Sequence, residues 1–197
     1  MELLSAQARS SAQGFLLASV SAILAVVLIL AGHSAFAQPA ASKEFQVKAV
    51  FLFNFAQFVE WPTSAFADEQ KPLIIGVLGE DPFGPYLDDT VRGEKVNGRP
   101  LAVERYHKIE EVKTCHILFV SHSETAHLKQ DLEVLKSRPI LTVSDINDFC
   151  RQGGTIQFVT DKNKIRLKIN VEAARAAHLT ISSKLLRPAE IVSTGGK

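Results

Sequence analysis

Three short apolar runs constrain the fold of this chain more than any other feature. They are Leu73–Leu78, His116–Val120 and Pro139–Val143, and each consists mainly of Ile, Leu, Val and Phe. Apolar runs of this length are typical of strands that are buried on both faces, and the stretches between them have room for helices. The alternation predicts an α/β fold with a mostly parallel sheet, flanked by helices on both faces.

The segments around these runs predict further elements, each marked by capping or turn residues. A strand is expected over Leu101–Tyr106, and a C-terminal β-hairpin is expected over Thr155–Val159 and Ile165–Ile169. The predicted helices run from Ser42 to about Glu60, from Asp81-Pro82 to about Thr90, from Ser121–Ser123 through Leu135, from Ser144-Asp145 to near Cys150, and from about Val171 to Leu186 with a break expected near Thr180.

The N-terminal segment predicts export from the cytoplasm. An apolar run over Phe15–Ala31 follows a short polar stretch that contains Arg9, and Ala35 and Ala37 form a small-x-small cleavage site. We expect a signal peptide over residues 1–37 and a single domain over residues 38–197 that works in the periplasm. Because the basic region is weak and the apolar run is slightly long, an uncleaved anchor is the alternative. Both a cleaved signal peptide and an uncleaved anchor place the domain outside the cytoplasm, on the far side of the membrane.

Charge and motif content exclude several classes of function. The formal net charge is +1 and no obviously basic face is present, so nucleic acid is not an expected partner. None of the six histidines has the spacing of a metal-ligand set, and Gly76 and Gly79 do not form a phosphate-binding turn. We therefore expect neither a metal nor a cofactor.

Polar residues follow several predicted strands, where open α/β sheets usually bind ligands. Ser121, His122 and Asp145 could form a hydrolytic set. However, the Gly-x-Ser-x-Gly elbow is absent, and helix capping explains Ser121 and Asp145 without catalysis. The expected crevice for a small polar or cationic ligand is formed by Glu80, Ser121, Ser144 and Asn170. The sequence therefore favours binding over catalysis.

The first predicted helix is apolar on nearly all sides. Val47, Phe51, Phe55 and Phe58 share one face, whereas Leu52 and Phe53 point elsewhere. A helix of this kind must be covered on more than one side. It is either a central core helix or a helix shared with a partner. In the second case the candidates for a partner or dimer interface are Phe51, Phe55, Phe58 and Trp61.

Cys115 and Cys150 are the only cysteines. An even number in an exported chain favours a disulfide, and the predicted topology puts both residues near the same edge of the sheet. The alternative is two buried free thiols that pack as small apolar side chains. The Cys-x-x-Cys spacing of oxidoreductases is absent, which argues against redox catalysis.

Several segments share, in order, the pattern of a known family. The first is the Phe-rich helix that ends in Trp-Pro, Lys48–Pro62. The later ones are Ile140–Asp145, Gly153-Gly154, Leu167–Asn170, Ala173–Arg175 and Ile181–Leu186. Together they resemble the YfiR family of periplasmic proteins, over nearly all of the expected mature chain.

The resemblance implies a regulator that performs no chemistry itself. YfiR-like proteins are periplasmic regulators. The founding member represses an inner-membrane diguanylate cyclase by binding its periplasmic sensor domain, and an outer-membrane lipoprotein can sequester that repressor. By this resemblance the chain would lower cyclic-di-GMP and biofilm formation. An apolar helix face that associates with itself is equally compatible with the sequence, so a homodimer is also expected as one form. The founding member has more cysteines, which leaves redox control of this chain open. The alternative function is a periplasmic module that senses a small molecule.

Overall fold

The three apolar runs form the middle of an eight-stranded sheet. The computed structural model describes residues 42–68, 70–162 and 164–195, which belong to one compact unit, Pro39–Lys197. The predicted signal peptide and its cleavage site lie outside the described residues. Within the described part of the chain, no helix combines the length and the apolar content needed to cross a bilayer.

The described elements alternate along the chain as the apolar runs predict. The helices are α1 (Lys43–Phe58), α2 (Pro85–Val91), α3 (Leu128–Leu135), α4 (Val171–Ala176) and α5 (Ser183–Leu186). The strands are β1 (Val59–Glu60), β2 (Leu73–Leu78), β3 (Lys95–Val96), β4 (Arg99–Tyr106), β5 (Ile117–Val120), β6 (Leu141–Ser144), β7 (Ile156–Asp161), β8 (Lys164–Ile169), β9 (Thr180–Ile181) and β10 (Glu190–Ile191).

The large sheet is mostly parallel, and this confirms the predicted fold class. Its strand order is β10-β8-β7-β6-β5-β2-β4-β3. Strands β4, β2, β5, β6 and β7 run parallel to one another, whereas β8 is antiparallel to β7 and β3 is antiparallel to β4. The predicted C-terminal hairpin is the β7–β8 pair. The prediction missed β10, which extends the sheet beyond the hairpin.

Alternate residues of the central strands face two separate apolar cores. Ile75 and Val77 of β2 pack with residues of α1, α2, α4 and α5. Ile74 and Leu78 of the same strand pack on the opposite face with α3. Helices on both faces explain why every residue of β2 is buried.

Helix α1 begins where the sequence predicts, because the Ser42 hydroxyl accepts the backbone N–H of Phe45. It ends at Phe58 rather than near Glu60, since Val59 adopts an extended conformation and starts β1. Strand β1 pairs antiparallel with β9, Val59 opposite Ile181. This small sheet also accounts for the predicted helix break near Thr180.

The helix predicted from Asp81-Pro82 begins later, at Pro85. The Asp81 carboxylate does not cap it. One oxygen accepts the backbone N–H of Phe83, and the other lies 2.7 Å from Nε of Arg105. Arg105 also donates to Asp88 within the helix and to the carbonyl of Gly84. The guanidinium thus ties Asp81, Gly84 and Asp88 together across the bends and turn at residues 82–84, and the first helical turn starts after them.

Two other predicted helices differ from the structure: one starts later than predicted and the other does not form. The segment after β5 forms a 3₁₀ turn over His122–Ala126 before α3 starts at Leu128. The segment after β6 forms turns instead of a helix. There, the Ser144 hydroxyl donates to the carbonyl of Val120 and accepts the N–H of Ile146. Ser144 therefore ties two neighbouring strand ends together rather than capping a helix.

The two cysteines are free, so the disulfide prediction is wrong and the alternative of two buried thiols holds. Cys115 donates to the carbonyl of Ile117 at 3.1 Å, beside β2 and β5. Cys150 faces the carbonyls of Thr155 and Lys168 at 3.4 Å, beside β7 and β8. The two cysteines share an edge of the sheet, but β6 lies between them. Two strand spacings are roughly 10 Å, which is too far for a disulfide.

Burial raises the pKa of both thiols to about 12, so little thiolate forms at neutral pH. We expect the folded protein to resist alkylation by iodoacetamide, and the denatured protein to take up two labels without prior reduction. Intact mass spectrometry would count the labels. The matched control is the same protein treated with reductant before denaturation. A higher label count in that control would show that a disulfide exists.

Candidate functional site

The carboxyl ends of β2 and β5 form a crevice at the topological switch point of the sheet. Strand β4 pairs with one side of β2, and the chain then crosses back so that β5 pairs with the other side of β2. Ligands of open α/β sheets usually bind at such a point. The crevice is about 230 Å³ in volume, and its lining includes Phe45, Glu80, Phe119, Ser121, His122 and Asp145.

The turn after β2 shapes one wall of this crevice. Gly79 has φ +86°, and a Cβ atom there would collide with the side chains of Ser123 and Glu124. The next residue, Glu80, donates its backbone N–H to the Ser123 hydroxyl at 3.0 Å. A glycine at position 79 therefore lets the loops after β2 and β5 approach each other closely.

The structure brings together only part of the expected ligand crevice. Glu80 and Ser121 line it. Ser144 is fully buried behind it and bonds to backbone groups. Asn170 lies at the opposite edge of the sheet, because β8 runs antiparallel to β7 and ends where β7 begins. The side-chain Oδ1 of Asn170 accepts the backbone N–H of Ala173 and so caps α4, and the side-chain NH₂ donates to the backbone carbonyl of Cys150. Asn170 therefore has a structural role.

A buried lysine stands beside the crevice, and the sequence analysis missed it as a site residue. Lys48 is 1% exposed. Its ammonium lies 2.5 Å from Asp145 Oδ2 and 2.7 Å from Glu44 Oε1. It also sits 4.4 Å from the ring centroid of Phe45, where a cation–π interaction adds to its stabilisation. The one positive charge that α1 buries is thus paired with carboxylates from two different elements.

The carboxylates around Lys48 are themselves held in place. The Lys48 ammonium lowers the pKa of Glu44 through its hydrogen bond, although burial opposes this shift. Thr160 on β7 donates to the same Glu44 oxygen at 2.9 Å. His122 Nε2 lies 3.7 Å from Asp145 Oδ1. A second cleft of about 490 Å³ adjoins the crevice and shares His122 and Asp145 with it.

The geometry does not form a catalytic triad. Within residues 42–195 as described, no hydrogen bond joins Ser121 to His122, and the contact between His122 and Asp145 is too long for one. Asp145 is instead committed to Lys48. The described residues also contain no group of three or more His, Cys, Asp or Glu side chains that could hold a metal ion.

The four residues expected at an interface differ in their exposure. Phe55 is fully buried, and its ring stacks on Phe158 with centroids 5.9 Å apart. Phe51 and Phe58 are partly buried against the same core. Trp61 is also partly buried, and its indole N–H donates to the carbonyl of His116 at 3.2 Å. Phe55 is therefore a core residue and cannot contact a partner of the folded domain.

The exposed apolar residues of α1 are two valines that the prediction did not include. Val47 is 47% exposed and Val50 is 41% exposed. They lie on the same side of the helix as the partly buried rings of Phe51 and Phe58, at spacings of three, four and eleven residues. We call these four residues the outer stripe of α1. Val47 and Val50 are the exposed part of this stripe, whereas the ring of Phe51 also reaches Phe158 of β7, with centroids 5.8 Å apart.

The fold is that of a small α/β domain with candidate binding clefts at one edge of its sheet. Its first helix combines a buried charge with an uncovered apolar side, and its sheet edge carries polar clefts. The chain matches the family model described as YfiR/HmsC-like over residues 45–190, which is most of its length. The protein therefore belongs to the YfiR/HmsC-like family, a family of periplasmic proteins that regulate rather than catalyse. No curated protein matches the chain in a sequence search.

The ion pair between Lys48 and Asp145 generates a prediction about stability. Asp145→Asn keeps the shape of the side chain but leaves the buried ammonium with Glu44 alone. We expect it to lower the free energy of unfolding by about 3 kcal/mol. The double variant with Lys48→Met removes both charges and should recover at least half of that loss. Urea unfolding monitored by circular dichroism measures both effects.

The matched control is Asp89→Asn, which breaks the exposed pair between Asp89 and Arg92 on the protein surface. We expect this control to change stability by less than about 1 kcal/mol. If Asp145→Asn costs no more than the control, the buried pair does not hold α1 on the sheet.

Proposed function

We propose that this protein is a non-catalytic periplasmic regulator that binds the periplasmic sensor domain of an inner-membrane diguanylate cyclase and favours the inactive state of that cyclase. Its membership of the YfiR/HmsC-like family carries this proposal. A regulator of this type lowers cyclic-di-GMP only to the extent that it binds the inactive state more tightly than the active one.

The outer stripe of α1 supports docking on a protein partner. A water-facing helix side that displays Val47 and Val50 beside partly buried aromatic rings is costly in isolation, and covering it would be favourable. The underlying helix is fixed by the Lys48–Asp145 pair, so the stripe is presented by a rigid element. The few residues that dominate the binding energy of an interface are often aromatic and lie in well-packed parts of the surface. An outer-membrane lipoprotein that covered the same stripe would release the cyclase.

Deletion of the gene should raise cellular cyclic-di-GMP, and an exported plasmid copy should restore the lower level. We expect Val50→Asp to abolish that restoration, because it places a charge in the centre of the proposed interface. Its affinity for the purified sensor domain should fall about 30-fold or more, the effect of one hot-spot residue. Calorimetry or biolayer interferometry measures the affinity, and mass spectrometry of cell extracts measures cyclic-di-GMP.

The control variant is Val134→Asp, which makes the same change at a valine of similar exposure (46%) on α3, across the sheet from α1. It should bind and repress like the unmodified protein. Equal effects of the two variants would contradict docking through the stripe. Light scattering measures the oligomeric state of both variants. If Val50→Asp dissociates a homodimer and leaves cyclase binding intact, the stripe joins two copies of this chain instead of docking on the cyclase.

The crevice at the switch point favours a second function, the sensing of a small molecule. Glu80 and Asp145 would attract a polar or cationic ligand there, and Phe45 would cover its apolar part. In this case, adding an extract of small periplasmic metabolites should raise the melting temperature of the purified protein by about 5 °C when the ligand is saturating. Glu80→Gln should remove that increase, whereas Glu94→Gln, at an exposed site outside the crevice, should not.

A further inference from the structure

Asp131 on α3 is buried without a partner for one of its carboxylate oxygens. The residue is 4% exposed, and its Oδ2 atom makes no hydrogen bond within the described part of the chain. A buried acceptor that stays unsatisfied is unfavourable by about 1–3 kcal/mol, and more if it is charged. The sequence analysis did not single out this residue.

Asp131 lines a cleft of about 410 Å³ that is distinct from the switch-point crevice. The cleft lies between the segment that follows β4 and the segment that follows β5, on the side of the sheet that α3 covers. Its lining consists of polar and titratable side chains with one apolar residue: His107, Lys108, Ile109, Glu110, Ser123, Glu124, His127, Gln130 and Asp131.

Three carboxylates, those of Glu110, Glu124 and Asp131, line this cleft together with the basic side chains of Lys108, His107 and His127. No ion pair reaches Glu110, Glu124 or Asp131 from any residue that the structure describes. Burial raises the pKa of Asp131, and the charges of Glu124 and Glu110 raise it further, while His127 opposes them. Lys108 lines the cleft but is exposed and forms no ion pair with these carboxylates. Glu124 has one oxygen engaged by the Ser123 hydroxyl at 2.8 Å.

We infer that this cleft binds an organic cation, namely an ammonium or guanidinium group whose N–H donors satisfy Asp131 and whose charge is neutralised by Glu110 and Glu124. A metal ion is a poorer fit, because the described side chains form no cluster with metal-ligand geometry. Charge-assisted hydrogen bonds to a buried carboxylate are among the stronger polar contacts in proteins. The site does not depend on docking through the outer stripe, which lies on the opposite face of the sheet.

The cation has two possible sources, and two probes separate them. Agmatine carries a guanidinium and an ammonium group and represents a free amine. The capped peptide acetyl-Gly-Arg-Gly-amide represents a basic side chain of a partner protein. Each is titrated into the isotope-labelled exported protein while amide chemical shifts are recorded by NMR. We expect saturable shifts confined to the segments His107–Glu110 and Ser123–Asp131 for at least one probe.

Asp131→Asn should weaken that binding about tenfold or more, because it removes the charge and one acceptor while keeping the size of the side chain. In the absence of a ligand, the same variant should be at least as stable as the unmodified protein. Glu133→Gln is the control. It removes an equal charge from the exposed side of α3, where Glu133 pairs with Lys136, and it should bind like the unmodified protein.

Agmatine binding alone would identify a free amine as the ligand, and peptide binding alone would identify a basic side chain. The absence of saturable shifts with both probes would overturn the proposal. Equal weakening by Asp131→Asn and Glu133→Gln would also overturn it, since that result would reflect general charge attraction. Marked destabilisation of the ligand-free protein by Asp131→Asn would show that the carboxylate has a structural role.

Discussion

The buried ammonium of Lys48 sets the position of α1, and much of the functional surface depends on that position. A helix that is apolar on nearly all sides can pack in several rotations, because hydrophobic contact is not directional. A buried charge removes this freedom, since it must meet an opposite charge or incur a large desolvation penalty. Asp145, which follows β6, meets Lys48 at 2.5 Å and so fixes both the rotation of α1 and its shift along the sheet.

With α1 fixed, each of its sides has a defined role. Phe55 and Leu52 enter the core, and Val47 and Val50 face away from the sheet. Phe45, in the first turn, packs edge-on against Phe83 with centroids 5.5 Å apart and lines the switch-point crevice. A rotation of one residue, about 100° on a helical wheel, would bury the outer stripe and expose core rings. The ion pair therefore stabilises this particular distribution of buried and exposed apolar groups.

The sequence predicted those features that depend on local pattern. The apolar runs gave the central strands, Ser42 marked the start of α1, and the polar turn after β7 marked the hairpin. Features that depend on distant pairing were missed or misassigned. Lys48 and Asp145 are 97 residues apart, so the sequence suggested helix capping or a hydrolytic set for Asp145 and gave no sign of the ion pair. Asn170 was placed at the wrong edge, since the predicted hairpin already makes β8 antiparallel to β7 and so ends β8 at the edge where β7 begins.

Helix α1 connects the proposed docking of a protein partner with the proposed sensing of a small molecule. Glu44 and Lys48 line the cleft beside the crevice, whereas the outer stripe lies on the other side of the same helix. A ligand in the cleft could change docking only if it bound one position of α1 more tightly than another. The helix cannot move freely while Lys48 stays paired, because separating the ions inside the protein leaves each of them desolvated. A ligand that competes for Asp145 would remove this restraint, whereas a ligand that contacts only Ser121 or Glu80 would leave it intact. Occupancy of Asp145 is therefore the property that would link ligand binding to the exposed side of α1.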